Sequence, residues 1–80
     1  EKYNDLIFDY SEDVNFYHQW LHLFKILKKE DWELFVNAWI HILNNDKKQA
    51  ILKLKKIRTI SSNSKLVYNT NKLINQINDA

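Results

Sequence analysis

EDWELFVNAWIHIL, residues 30–43, is the densest apolar stretch of this 80-residue chain, and its periodicity decides the fold. Trp32, Phe35, Val36, Trp39 and Leu43 recur at the spacing of one face of an α-helix, and Leu34, Ala38 and Ile42 add a second stripe beside it. Only Glu33, Asn37, His41 and Asn44 make a polar line. A helix that is apolar nearly all round has to be enclosed by other elements. The stretch is expected to be the central helix of a small bundle, with Trp39 on its most buried stripe.

Composition narrows the class. Gly, Pro, Cys and Met are all absent, which removes disulfides, cysteine zinc sites, glycine-rich phosphate loops and proline-built turns. Asn is the one remaining residue that takes positive φ readily, so β-hairpins are poorly served while helices lose nothing. An all-α chain is expected. Eighty residues suit a single domain, spanning 1–80, whose core only just outweighs chain entropy. No apolar run is long enough to cross a bilayer and no signal peptide opens the chain. With cysteine absent as well, the expectation is a soluble intracellular protein of the cytoplasm or nucleus. A start at Glu1, without methionine, reads as a domain excised from a longer chain or a processed product.

A net charge of +2 hides a gradient. Glu1, Asp5, Asp9, Glu12 and Asp13 face Lys2 alone at the front, whereas Lys47, Lys48, Lys53, Lys55, Lys56, Arg58, Lys65 and Lys72 occupy residues 47–78 with no acid among them. Aromatic residues run the other way, and Tyr68 is the only one after Trp39. The front half therefore reads as core, the back half as a basic surface.

In chain order, Tyr3, Leu6, Ile7 and Tyr10 have helical spacing, so residues 2–9 form either a short helix or an extended arm. Ser11 can cap a helix running to about Lys29, with Glu12 and Asp13 at its positive end. Val14, Tyr17, Leu21 and Phe24 form one apolar stripe of that helix, and Phe16, Trp20, Leu23 and Leu27 a second. Glu30 and Asp31 restart a helix, through either a sharp turn or a bend. Asn44, Asn45 and Asp46 make the next turn, and Asp46 with Gln49 has capping-box spacing. A third helix begins at Lys47, burying Ala50, Ile51, Leu54 and Ile57. Thr59 to Ser64 is expected to be a loop whose last serine caps a final helix, with Leu66, Val67, Thr70, Leu73, Ile74 and Ile77 on its buried face. Four main helices with short connections imply a mostly antiparallel bundle.

Candidate chemistry is sparse. His18 and His22 stand four apart, where two imidazoles can share a metal ion, but Gln19 occupies the place where a zincin needs a glutamate base. Ser61, Ser62 and Ser64 have no His or acid near them in sequence, and turn or cap roles account for all three. Paired acids sit at helix starts, where the dipole favours them. No catalytic residue, metal or cofactor is expected, and the chain is read as non-enzymatic.

The basic half offers two readings. Lysines round the third helix, a loop, and a last helix exposing Ser64, Tyr68, Asn71, Lys72 and Asn75 could form a helix-turn-helix that binds nucleic acid. Against it stands the single arginine, the side chain most used to read guanine. Alternatively, ILKLKKIRTI (51–60), SNSKLVYNT and KLINQI place Ile51, Leu54, Ile57 and Ile60 in threes before a loop, a short apolar helix ending at Thr70, and Lys72, Ile74, Asn75 and Ile77. In this order residues 30–77 resemble the N-terminal helical-bundle domain of transcription elongation factors and the related integrase-binding domain of chromatin-tethering coactivators. Asn71 stands where that family has a glycine. The resemblance implies a module that grips short disordered motifs of partner proteins with inter-helix loops.

The sequence is accordingly read first as a protein-interaction module for acidic or short linear segments, and second as a nucleic-acid binder. Lys48, Lys53, Lys55, Lys56, Arg58, Ser62, Asn63, Tyr68 and Lys72 are the candidate partner-binding residues. Lys47 to Arg58 would attract the partner and the loop at Thr59 to Ser64 would be a docking edge.

Overall fold

A computed structural model describes residues 13–79, which form four α-helices: α1 (Val14–Leu27), α2 (Glu30–Leu43), α3 (Lys47–Ile60) and α4 (Ser64–Asp79). The all-α expectation holds. The element expected over residues 2–9 and the Ser11 cap lie outside the described residues. Within them, α1 is capped by Asp13, whose extended backbone lets Oδ1 accept from Asn15 N–H at 3.0 Å.

The break between α1 and α2 is a sharp turn, two residues earlier than the expected end at Lys29. Lys28 takes the left-handed conformation at φ 56°, its N–H donates to Lys25 O, and Lys29 N–H donates back to Phe24 O at 3.0 Å. That pair of bonds is a Schellman ending, normally built on glycine because a Cβ crowds the following carbonyl there. Asn45, at φ 62°, ends α2 in the same way, with Asp46 N–H donating to His41 O at 2.8 Å. Lys28→Gly is expected to stabilise the fold by about 0.5–1 kcal/mol, the relieved strain exceeding the added chain entropy. A urea midpoint that fails to rise would show that Lys28 carries no strain.

α2 is central, as its pattern demanded. Trp32, Leu34, Phe35, Val36, Ala38 and Ile40 are buried, and even Glu33, Asn37 and His41 are half covered. Aromatic rungs join it to α1. Phe24 stacks on Trp32 with ring centroids 5.5 Å apart, and Tyr17 stacks on Trp39 at 5.6 Å. Position numbers falling on α1 as they rise on α2 make the pair antiparallel. Such ring pairs add ~0.5–1.5 kcal/mol each beyond the area they bury. The sequence reading placed Trp39 on the most buried stripe, yet Trp39 is half-buried and Trp32, at 2% exposure, is the enclosed indole.

α3 packs on α2 through Ala50, Leu54 and Ile57, all fully buried. Asp46 caps it as expected, Oδ1 accepting from Gln49 N–H at 3.3 Å, although Asp46 N–H goes to His41 O and not to the Gln49 side chain. The loop after it is shorter than expected. Thr59 and Ile60 remain helical, Thr59 turning its hydroxyl back to Lys56 O at 2.7 Å, and only residues 61–63 connect the helices. Asn63, not Ser64, caps α4, its Oδ1 accepting from Leu66 N–H at 3.1 Å. α4 lies on α3 with Leu66, Thr70, Leu73, Ile74 and Ile77 buried, the face its spacing marked.

Candidate functional site

Of the residues singled out in the basic half, the structure groups some and separates others. Lys48, Lys55 and Lys56 are exposed on the solvent side of α3. Leu52 lies four positions after Lys48, three before Lys55 and four before Lys56, so all three are its neighbours on the helix surface. Leu52 itself is 54% exposed. The result is an apolar side chain ringed by cations. Lys53 does not join them, being half-buried and about 140° round the helix from Lys48.

The row Lys48, Leu52, Lys56, Ile60 advances four residues at a time, alternating cation and apolar group along one ridge of α3. Ile60, expected in the loop, is the last helical position and is 43% exposed. At this end the ridge meets α2. Lys56 Nζ stands 3.8 Å from Glu30 Oε1, and Ser61 Oγ donates to Asp31 Oδ2 at 2.7 Å while accepting from Asn63 N–H at 3.1 Å. The start of α2 and the end of α3 are thus tied together, and Ser61 has a structural task. Ser62 is exposed in the short connection, whereas Asn63 is half-buried in its capping bond.

Arg58 turns away from the lysines towards α4, where Nη1 donates to Asn71 Oδ1 at 3.3 Å. Tyr68 and Lys72, four apart, are exposed on the outer side of α4, opposite its buried face. The nine candidates therefore divide into three lysines together on α3, Lys53 apart on its flank, the Arg58 contact with α4, the connection, and the outer side of α4.

Leu52 is the residue that sequence reasoning missed. It is the apolar position of α3 lying farthest from the Ala50, Leu54 and Ile57 stripe, and a helical projection alone would have exposed it between lysines. A second departure lies on α1. Leu23 and Leu27, expected in a buried stripe, are 37% and 46% exposed, and Ile26 is more exposed still. α1 buries Tyr17 and Phe24 towards α2, which leaves its other apolar stripe only partly covered.

His18 and His22 are exposed beside Asn15 and Gln19 along a shallow depression of α1. Among the described residues no group of three His, Cys, Asp or Glu is placed to hold a metal ion. Nor is any helix among them long and apolar enough to cross a membrane. No family model, curated protein or solved structure matches the chain.

Proposed function

We propose that this chain is a non-enzymatic intracellular module that docks acidic segments of a partner protein on the solvent face of α3. The observation that carries the reading is the exposed Leu52 held among Lys48, Lys55 and Lys56. Lysines alone serve solubility, and a lone exposed leucine needs no explanation. Together they make a surface on which an apolar contact supplies affinity while the cations speed encounter and select for carboxylates. The likeness of residues 30–77 to the helical bundles of elongation factors and integrase-binding coactivators is consistent with this reading. Those modules use inter-helix loops, and Ser62 stands exposed in the corresponding loop here.

Nucleic-acid binding is the second reading, favoured by the three-residue connection between α3 and α4 and by Tyr68, Lys72 and Asn75 exposed on α4. It leaves Leu52 and Ile60 against a polyanion, and its one arginine is already bonded to Asn71. Replacing Lys48, Lys55 and Lys56 by Gln is expected to leave the melting temperature nearly unchanged, because exposed charges contribute little. Affinity for an acidic peptide should fall about tenfold, chiefly through slower association. Wild-type affinity for an acidic peptide should fall with salt less steeply than that for a duplex, and tighter binding of a DNA duplex with a steep salt slope would replace this reading by the second.

A further inference from the structure

Resting on that reading, we infer that the partner segment is an acidic amphipathic helix lying along the ridge Lys48, Leu52, Lys56, Ile60. Its apolar side chains seat on Leu52 and Ile60, and its carboxylates meet Lys48 and Lys55. Leu52 and Ile60 are eight residues apart on a continuous helix, hence ~12 Å along its axis. A partner helix offers two apolar groups at that separation from positions two turns apart. Acids on the turns flanking the group that seats on Leu52 then fall among the lysines that ring it.

The backbone chemistry selects a helical ligand over an extended one. α3 uses its own N–H and C=O groups internally, and no strand is present among the described residues to accept another by edge pairing. The side of a segment covered by this surface loses water and gains no main-chain partner from α3, and a helix keeps those groups bonded internally. Charge complementarity names its sign. Residues 47–78 carry no acid, so nothing on α3 or on α4 as far as Asn78 repels a carboxylate.

Glu30 marks the kind of group that fits. Its carboxylate already stands 3.8 Å from Lys56, with both side chains largely exposed. An exposed pair of this sort holds weakly and exchanges partners readily. Glu30 is therefore an internal competitor for the Lys56 end of the ridge, and the ligand's acids belong at the Lys48 end.

The test uses two synthetic helix-forming peptides of about 14 residues, long enough to coil. Both are glutamate-rich; one carries two leucines two turns apart, and the other has serine in their place. Binding to the 80-residue chain is read by fluorescence anisotropy, with circular dichroism confirming that each variant melts like the wild type. The leucine peptide is expected to bind about tenfold tighter than the serine peptide, and replacing both Leu52 and Ile60 by Gln should abolish that advantage without changing affinity for the serine peptide. Glu30→Gln should tighten both peptides about twofold to fivefold by releasing Lys56. Equal binding of the two peptides, or a chain with both Leu52→Gln and Ile60→Gln that still prefers leucine, overturns this inference while leaving the acidic-segment reading in place. Failure of both peptides to bind overturns the two together.

Discussion

Trp32→Ala is expected to leave the chain largely unfolded at room temperature. Trp32 is enclosed on α2, stacked on Phe24 at 5.5 Å, and Phe24 in turn stacks on Trp20 at 5.6 Å. Removing the indole opens a cavity and deprives that aromatic run of its inner member. Truncations of this kind cost ~3–5 kcal/mol. A single core of this size rarely supplies more than about the same amount. Trp39→Ala should cost clearly less, since Trp39 is half-buried whereas Trp32 is enclosed. Urea titrations followed by far-ultraviolet circular dichroism rank the two variants. If Trp39→Ala were the more damaging, the α1 and α2 rungs would have been put in the wrong order.

Leu66→Ala should act on one helix before it acts on the whole molecule. Among the described residues α4 has one extensive neighbour, α3, whereas α2 is held from two sides. Leu66 is fully buried in the first turn of α4, where Asn63 provides the cap, so its loss frees the end at which the helix is anchored. A buried leucine truncated to alanine costs ~2–5 kcal/mol. Elements held on one side open at lower free energy than the rest of a core. Hydrogen exchange should therefore rise first across the 16 residues of α4, with α2 still protected. Uniform loss of protection in all four helices would mean that α4 is no separate unit.

What the sequence settled by itself is what repeats along it. Helical spacing in residues 30–43 is enough to require a helix enclosed on most sides, and α2 is one. Asp46 with Gln49, and the turn at Asn44 and Asn45, were legible because their chemistry is local. Each concerns a residue and partners at most a few positions away. Lys28 was not legible, for lysine has no preference for positive φ and takes it only because packing Phe24 against Trp32 closes the turn. Thr59 and Ile60 read as loop, yet helix α3 carries on through them. Ser61 then anchors the chain to Asp31, thirty residues earlier, a contact that no local pattern contains.

The candidate surface divides in the same way. The lysines of α3 were visible as a charge run, but a run does not say which face each occupies once the helix is pinned to α2. Leu54 and Ile57 go inward, which turns Leu52 out among Lys48, Lys55 and Lys56 and leaves Lys53 on the flank. On α1, both apolar stripes looked alike in sequence. Tertiary structure chose between them, because among the described residues α2 is the extensive neighbour of α1 and meets its Tyr17 and Phe24 side.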